Sequence, residues 1–264
     1  MAKSFEITQT QFGNFLVNEL DLIGNCILNT GTWEPHLHEF YSQILKSDDI
    51  CIDAGANLGF HTMQFGKLSK KVYAFEPQPM IYNQLCANIL FNDLDNVIIP
   101  YRLAIGDKKD IKQMWDIKNE GWKNMGDGAY NWGGRGIEHK DATFTSDEVR
   151  EHDTVDVIDL DSFNIPHCEL FKIDIQGYEW YAFLGAKKLI IKNKPVILLE
   201  SNPDRSELDK QVLNFLQELG YENYRYYQNL NEDCILIHPN NKKYLISIDI
   251  INKIKDKHNI KKEF

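Results

Sequence analysis

From residue 50 onward, short apolar runs alternate with longer segments in which apolar residues recur at helical spacing. Each apolar run is long enough for one buried strand, and each longer segment for one helix. The predicted strands cover 50–53, 72–75, 97–103, 170–174 and 195–200, and the predicted helices cover 58–69, 79–91, 178–191 and 207–219. Strands that alternate with helices predict a mostly parallel sheet with helices on both faces, which is an α/β fold. Residues 224–227 and 234–238 add a predicted C-terminal antiparallel strand pair.

The remaining pattern divides the chain into three parts. Residues 1–46 carry short alternating runs and one stretch of helical spacing, which predicts an N-terminal cap that is β-rich and partly helical. Residues 47–240 form the predicted main domain, interrupted by an insertion at 107–153 whose composition is irregular. Residues 241–264 are rich in lysine and predict a C-terminal tail in the form of a solvated helix.

Composition and charge narrow the classes of function. The chain has 264 residues, a formal net charge of −10 and a pI near 5.3, which argues against a broad interface with a nucleic-acid backbone. The sequence contains no run of 18 apolar residues, so it predicts no membrane span, and the first residues lack the apolar core of a signal peptide. We therefore expect a cytoplasmic protein that acts on a small-molecule or glycan acceptor. The oligomeric state stays open.

The first predicted strand ends in a turn of small residues, Asp53-Ala54-Gly55-Ala56-Asn57-Leu58-Gly59, before a helix begins. A strand that feeds a helix through a glycine turn places backbone N–H groups and a positive helix end beside one spot, which suits a nucleotide-like ligand. Glu76 ends the next strand, 23 residues after Asp53, where an acidic residue can accept hydrogen bonds from ribose hydroxyls. The predicted cofactor-binding residues here are Asp53, Gly55, Ala56, Asn57, Gly59 and Glu76.

The turn has the spacing G-x-x-x-G, because Asn57 stands where dinucleotide folds need a middle glycine for close approach of a pyrophosphate. Asn tolerates the left-handed conformation, so the turn can still form. A ligand without a pyrophosphate, S-adenosylmethionine, therefore fits better than NAD. After the third strand, Ala104 and Asp107 are placed to line the adenine, with Asp107 as an acceptor for its exocyclic amine. A turn Asp with no ligand is an equally good interpretation.

The insertion at 107–153 contains six glycines within 121–136, interleaved with aromatic residues. Long loops are usually functional or disordered, and disordered segments are poor in aromatics, so we expect a lid. Its aromatic faces and polar groups suit a polyhydroxylated acceptor such as a sugar; a surface hairpin with incidental aromatics is the alternative. The candidate acceptor-binding residues are Trp122, Asn124, Tyr130, Trp132 and Arg135, together with Gln176 of the turn after the fourth strand.

Taken together, the motifs at 53–60, 74–79, 171–179, 184–186 and 195–200 resemble the FkbM family of S-adenosylmethionine-dependent O-methyltransferases. The resemblance covers roughly residues 48–202 and implies the class I methyltransferase fold, Rossmann-like with a mostly parallel seven-stranded sheet. It also implies that Asp53, Gly55, Asn57 and Gly59 hold the methionine end of the cofactor. The family typically reads D-x-E-G after the fourth strand, whereas this chain has Gln176, which cannot act as an acid or base.

Removal of the acceptor proton needs a base, and Asp174 at the end of the fourth strand is the first choice, with His139 and His152 in reserve. Asp174, Glu200 and Asn202 also resemble the divalent-metal ligands of catechol O-methyltransferases, so a bound Mg²⁺ or Mn²⁺ is a second expectation. The alternative is that Glu200 and Asn202 only bond to loop backbone.

The preferred hypothesis is an O-methyltransferase that acts on a sugar hydroxyl of a glycan or glycolipid. An NAD-dependent oxidoreductase and a catalytically degenerate cofactor-binding partner subunit are the alternatives.

Overall fold

A computed structural model describes residues 5–117, 131–137, 149–201, 206–227 and 233–264. The strands are β1 (Phe5–Thr10), β2 (Gly13–Asn18), β3 (Ile50–Ala54), β4 (Lys71–Phe75), β5 (Ile98–Tyr101), β6 (Ala104–Ile105), β7 (Asp110–Ile117), β8 (Gly136–Ile137), β9 (Val149–Ile158), β10 (Leu170–Ile173), β11 (Val196–Glu200), β12 (Glu222–Tyr226), β13 (Asp233–Ile237) and β14 (Ile260–Lys262). The helices are α1 (Leu22–Thr30), α2 (Pro35–Ile44), α3 (Phe60–Leu68), α4 (Pro79–Phe91), α5 (Glu179–Gly185), α6 (Lys187–Asn193), α7 (Glu207–Glu218) and α8 (Tyr244–His258).

The central sheet has eight strands in the order β14-β12-β13-β11-β10-β3-β4-β5. The strands from β11 to β5 are parallel, and β13 runs antiparallel to both β11 and β12. The α/β class and the terminal antiparallel pair are therefore confirmed, but the sheet has one strand more than the seven expected. The order reverses between β3 and β10, and ligands in such sheets bind beyond the carboxyl ends of the strands at this point.

Helices cover both faces of the sheet, as the alternation predicted. Neighbouring residues of one strand face opposite sides, so Leu170 of β10 lies in one core and Phe171 in the other. The first core packs the sheet against α2, α3, α4 and α8, and the second against α5, α6 and α7. These two layers hold the strand ends rigidly at the edge where the functional side chains converge.

The lysine-rich segment is helical as predicted, but it is not a solvated tail. One face of α8 is buried through Ser247, Ile250, Ile251 and Ile254, and the helix packs on α2. The following strand, β14, pairs antiparallel with β12 and supplies the eighth strand of the sheet. Within α8 the lysines Lys253, Lys255 and Lys257 are exposed, and the apolar residues between them at helical spacing account for the burial of the opposite face. Lys243, just before the helix, is buried and pairs with Asp49 at 2.6 Å.

A second sheet, ordered β6-β9-β7-β8, includes part of the insertion that the sequence predicted to be irregular. Strands β7 and β9 pair antiparallel from Asp110 opposite Val157 to Ile117 opposite Val149. This pairing joins residues more than thirty positions apart in the chain, which local patterning cannot reveal. The remainder of the insertion lies outside the described residues. Among the helices that the structure describes, none has the length and apolarity needed to cross a membrane.

Candidate functional site

A cavity of about 750 Å³ opens beyond the carboxyl ends of β3, β4, β10 and β11. Its two ends differ in chemistry. The glycine-turn end is lined by Asp53, Gly55, Ala56, Asn57, Leu58, Glu76, Pro77, Gln78, Ala104 and Ile105. The carboxylate end is lined by Glu34, His36, His61, Lys172, Asp174, Gln176, Glu200 and Asp233.

Gly55 brings the two halves of the sheet into contact. Its φ is +78°, and a Cβ built on it would lie 1.8 Å from the carbonyl oxygen of Asp174. Only glycine therefore permits this approach between the end of β3 and the end of β10. The N–H groups of Gly55 and Ala56 both donate to the carbonyl oxygen of Phe75 at 3.0 Å, which closes the turn onto β4.

Asn57 adopts the left-handed conformation that the sequence predicted for it, with φ of +51°. Its own side-chain Oδ1 accepts from the N–H of Leu58 at 2.6 Å, and its N–H donates to Glu76 Oε2 at 3.0 Å. Gly59, with φ of +94°, then leads into α3. The turn thus forms without a middle glycine.

Glu76 is only 3 % exposed, and each of its carboxyl oxygens accepts one backbone N–H group. Oε2 accepts from Asn57, and Oε1 accepts from the N–H of Gln78 at 2.9 Å. Burial raises the pKa of Glu76 to about 7 despite these bonds. Each oxygen keeps a further lone pair, so the carboxylate can still accept hydrogen bonds from a ligand in the cavity.

Asp53 is almost fully buried at 1 % exposure, and its two carboxyl oxygens differ in their hydrogen bonds. Oδ2 accepts from Thr62 Oγ1 at 2.5 Å, whereas Oδ1 has no hydrogen-bond partner within the part of the chain that the structure describes. Burial raises the pKa of Asp53. Apart from the Lys172 ammonium 4.0 Å away, this oxygen has no donor near it among the described residues, so it is free to accept a hydrogen bond from a ligand in the cavity.

The structure places the two residues that were expected to line the adenine in different surroundings. Ala104 lines the cavity, but Asp107 is exposed and is absent from the lining. The reason is that the N–H of Gly106 donates to the carbonyl oxygen of Ile158 at 2.8 Å, which directs the chain into the second sheet. Asp107 follows this bond and faces solvent, so the expectation that it accepts from a base is not supported.

Part of the predicted lid reaches the cavity through a 3-10 turn at Trp132–Gly134. Its Gly133 lies so close to Asn57 that a Cβ built there would be 2.9 Å from Asn57 Nδ2. Arg135 follows the turn and lines the cavity, and its Nη1 donates to Asp153 Oδ2 at 2.8 Å. Trp122, Asn124, Tyr130 and His139 lie outside the described residues, and for Trp132 and His152 only the backbone is described.

Lys172 is the main feature of the carboxylate end that the sequence analysis missed. It pairs with Asp53 in the register of β10 and β3, is 5 % exposed, and places Nζ 4.0 Å from Asp53 Oδ1 and 3.5 Å from Asp174 Oδ2. Burial alone would lower its pKa, but the surrounding carboxylates, Asp174 first, outweigh burial and raise it. The signal was present in the sequence, since Lys172 interrupts an otherwise apolar strand.

Gln176 links the two carboxylates that flank it. Its Nε2 donates to Asp174 Oδ1 at 2.8 Å and to Glu200 Oε2 at 2.9 Å, from a backbone with φ of +56°. Burial works against ionisation of Asp174, but the charge of Lys172 and side-chain hydrogen bonds with Glu200 and Gln176 lower its pKa. Repulsion from Asp174, followed by burial, raises the pKa of Glu200 well above its ordinary range. The amide therefore holds together two acids that would otherwise repel.

Glu34 and His61 form a second unit at the carboxylate end. Gln64 Nε2 donates to the carbonyl oxygen of Phe60 at 3.0 Å, so Gln64 Oε1 is free to accept the Tyr41 hydroxyl at 2.6 Å. Tyr41 Oη then accepts from His61 Nδ1 at 3.1 Å, which leaves His61 Nε2 to bond with Glu34 Oε2 at 2.9 Å. This buried chain of hydrogen bonds fixes the orientation of the His61 ring, and both His61 and Glu34 line the cavity.

His36 and Asp233 make a matching pair, with Nε2 2.6 Å from Oδ2. Neither this pair nor that of Glu34 and His61 was predicted, because their partners come from elements far apart in the chain.

The expected metal site is not supported. Asn202 lies outside the described residues, and the described ones contain no cluster of three or more His, Cys, Asp or Glu side chains arranged to hold a metal ion. The space between Asp174 and Glu200 is bridged by the Gln176 amide nitrogen, and the Lys172 ammonium already lies beside Asp174. Positive and hydrogen-bond-donating groups in these places do not suit a divalent cation.

Comparison with known proteins bears on this geometry. The sequence model of the methyltransferase FkbM domain matches residues 53–222, which include the glycine turn, Glu76, Lys172, Asp174 and Gln176. A curated relative is the tRNA(Phe) (4-demethylwyosine(37)-C(7)) aminocarboxypropyltransferase of Methanocaldococcus jannaschii, 35% identical over 71 residues. Those residues are 26% of this chain and 27% of that relative, so the chain matches about a quarter of its length.

Two solved structures share the architecture. The methyltransferase FkbM of Methylobacillus flagellatus superimposes with a TM-score of 0.50 at 17% identity, over 73% of this chain and 44% of that one. The tRNA m1G37 methyltransferase of M. jannaschii superimposes with a TM-score of 0.50 at 13% identity, over 92% of this chain and 56% of that one. At these identities the likeness concerns the fold alone, and it confirms the expected class I methyltransferase fold.

Proposed function

The chain belongs to the family of methyltransferase FkbM domains, and from that premise we propose that it is an S-adenosylmethionine-dependent O-methyltransferase. The acceptor is a hydroxyl group of a sugar, in a glycan or a glycolipid. The observation that carries the proposal is a single cavity in which the glycine turn and buried Glu76 stand at one end and Lys172 with Asp174 at the other.

The residues of the glycine-turn end fit S-adenosylmethionine. Glu76 has acceptor capacity left for ribose hydroxyls, and Asp53 Oδ1 is a buried acceptor without a protein partner among the described residues. Ala104 and Ile105 offer an apolar surface to the adenine. When bound, the cofactor supplies a methyl group on a sulfonium, which is already activated for transfer. The chain itself has to hold, align and deprotonate the acceptor.

Asp174 is suited to take the acceptor proton. Its carboxyl is held ionised by Lys172 at 3.5 Å and oriented by Gln176 at 2.8 Å, while its side chain keeps 28% exposure toward the cavity. A positioned base contributes about 10²–10⁴-fold to such a step. The Lys172 ammonium beside it can donate to the acceptor oxygen as negative charge develops there. Alignment of that oxygen within the closed cavity supplies a further part of the rate.

The chemistry of the carboxylate end supports a neutral polyhydroxylated acceptor. Glu34, Asp174, Glu200 and Asp233 all line it, so hydroxyl groups find many acceptors there. Phosphate groups would meet like charge, which agrees with a chain of net charge −10. The hydroxyl groups of a sugar without phosphate can donate hydrogen bonds to these carboxylates, whereas the phosphates of a nucleic-acid backbone would be repelled by them.

The test is calorimetric titration with S-adenosylhomocysteine and, separately, with NADH. We expect wild type to bind the first compound alone and Glu76→Ala to lose this binding. Glu179→Ala is the matched control, because Glu179 is also a buried acid whose pKa is raised to about 7 but is absent from the cavity lining. Preference for NADH would favour an oxidoreductase and contradict the proposal.

A second measurement concerns the reaction. Wild type with S-adenosylmethionine and a panel of glycans should yield a methyl ether, and Asp174→Asn should abolish it while leaving S-adenosylhomocysteine binding intact. Cofactor binding without transfer to any glycan in a broad panel would favour the catalytically degenerate partner subunit instead.

A further inference from the structure

The Arg135 side chain is unusual because only one of its three nitrogen atoms donates a hydrogen bond to a described residue. Its side chain is 13% exposed, it lines the cavity, and Nη1 donates to Asp153 Oδ2 at 2.8 Å. Its Nε and Nη2 atoms are buried and have no hydrogen-bond partner among the described residues. A guanidinium is charged at every physiological pH, so two of its buried donor atoms are left without an acceptor. Such a deficit is costly and needs an explanation.

The two unpaired nitrogens are the ones that act together. In a planar guanidinium, the N–H of Nε and one N–H of Nη2 point in the same direction and form a fork. The spacing of this fork matches the two oxygens of a carboxylate or a phosphate. Asp153 meanwhile occupies Nη1 and fixes the plane of the group. The side chain is therefore oriented and has one bidentate anion site left over.

The fork belongs to the glycine-turn end of the cavity. Asn131 Oδ1 accepts from the N–H of Gly134 at 3.1 Å, which holds the turn that precedes Arg135. Gly133 within this turn lies against Asn57 of the glycine turn and against Ile23 of α1. After Arg135, the chain enters β8 and pairs with β7. The guanidinium is thus held between two fixed elements next to the place where the cofactor is expected.

The same cavity contains the opposite deficit. Among the described residues, Asp53 Oδ1 is a buried acceptor that receives no hydrogen bond, with Lys172 Nζ 4.0 Å away, and Arg135 Nε and Nη2 are buried donors without an acceptor. An α-amino acid group carries one ammonium, which can donate to Asp53 Oδ1, and one carboxylate, which can accept from Arg135 Nε and Nη2. The cofactor of the proposed function ends in such a group, and the inference below rests on that function.

We infer that Arg135 binds a carboxylate in the cavity through Nε and Nη2, and that this carboxylate belongs to the amino-acid tail of the cofactor. This moves Arg135 from the acceptor-binding residues, where the sequence analysis placed it, to the cofactor-binding residues. A carboxylate on the acceptor, as in a uronic acid, has the same chemistry and is the other source that an experiment has to separate.

The experiment titrates S-adenosylhomocysteine and its decarboxylated analogue, which lacks only the carboxylate, into wild type and Arg135→Gln. Loss of a bidentate charged contact weakens binding about 10- to 100-fold. We expect that loss for S-adenosylhomocysteine in the variant and almost none for the analogue. Arg135→Lys keeps the charge without the fork and should recover part of the affinity. Lys210→Gln on α7, at an exposed position, is the control for loss of one positive charge.

The outcomes are distinct. Equal weakening of both compounds in Arg135→Gln would overturn the inference and leave the proposed function standing, whereas no binding of either compound by wild type would overturn both. Unchanged affinity for S-adenosylhomocysteine, with a KM raised for a uronic-acid acceptor only, would overturn the assignment to the cofactor and give the carboxylate to the acceptor. If Arg135→Gln fails to fold by circular dichroism, Asp153→Ala removes the acceptor of the anchoring bond and should show the same selective loss at smaller size.

Discussion

The two ends of the cavity are built by different means. The glycine-turn end uses backbone groups of two adjacent strands and the turns that follow them, so that Glu76 receives the N–H groups of Asn57 and Gln78. The carboxylate end uses side chains from distant parts of the chain, and the bond between His36 and Asp233 spans 197 residues. One end depends on backbone conformation, and the other on the balance of buried charges.

This difference teaches where each end is vulnerable. A turn built from backbone groups fails when a glycine that other atoms approach closely acquires a Cβ. A site built from buried charges fails when one partner of an ion pair is removed. The predictions below test this contrast, beginning with the largest expected effect.

Gly55→Ala should disrupt the glycine-turn end. The added Cβ would stand 1.8 Å from the carbonyl oxygen of Asp174 and the residue would keep a φ of +78°, so β3 and β10 have to separate. Backbone strain and overpacking together should cost about 4 kcal/mol of unfolding free energy, measured in urea. Gly31→Ala is the control, because its φ is +73° but nothing lies within 4 Å of the added Cβ. That variant should lose only about 1 kcal/mol.

Lys172→Met should disrupt the carboxylate end. Removal of the ammonium takes the counter-charge from buried Asp53 and from partly buried Asp174, which should cost about 3 kcal/mol at pH 7. The pKa of both carboxyl groups would rise in the folded variant, so the loss should shrink as the pH falls and protons bind. Urea unfolding at pH 7 and pH 5 measures this.

Lys253→Met is the matched control, because Lys253 is 64% exposed in its pair with Asp249. Its loss should be about 0.5 kcal/mol or less. Equal losses in the two lysine variants would contradict the assignment of a structural charge to Lys172.

Glu76 should make stability depend on pH. Its pKa rises from 4.5 to about 7 on folding, so its contribution is complete below pH 4.5 and is lost as the pH rises through 7. The loss should be on the order of 3 kcal/mol, and Glu76→Gln should remove it. Glu179 has a pKa raised to about 7 in the same way, but it lies outside the cavity lining. Binding of S-adenosylhomocysteine should therefore change the pH-dependent contribution of Glu76 to stability and leave that of Glu179 unchanged.

Gln176→Glu should have the smallest effect of the four. The substitution replaces the amide between Asp174 and Glu200 with a third carboxyl group. The two hydrogen bonds that Nε2 donates are lost, and repulsion among the carboxylates is added. We expect a loss of about 1–2 kcal/mol at pH 8 that diminishes at pH 5, where the added group takes up a proton. Gln9→Glu, at an exposed position of β1, should change stability little at either pH. A stability of Gln176→Glu that does not vary with pH would argue against the bridging role.

The same contrast explains what the sequence could predict. The sequence placed Gly55, Asn57 and Glu76 at one site because a strand, a turn and the next strand are read from neighbouring residues, and all three line the cavity. Glu34, His61 and Asp233 were missed because they meet only after α2, α3 and β13 have packed on the sheet. The pairing of the second sheet was missed for the same reason, since β7 and β9 pair across a long stretch of chain.

The two outermost strands of the central sheet have a consequence for contacts between molecules. An unpaired strand edge offers a row of N–H and C=O groups to any other extended chain. At one edge, β5 has four residues and includes Pro100, which has no N–H to donate. At the other edge, β14 has three residues, two of them the exposed lysines Lys261 and Lys262. Both edges thus disfavour the addition of a foreign strand, and the central sheet carries its own protection against growth into an aggregate.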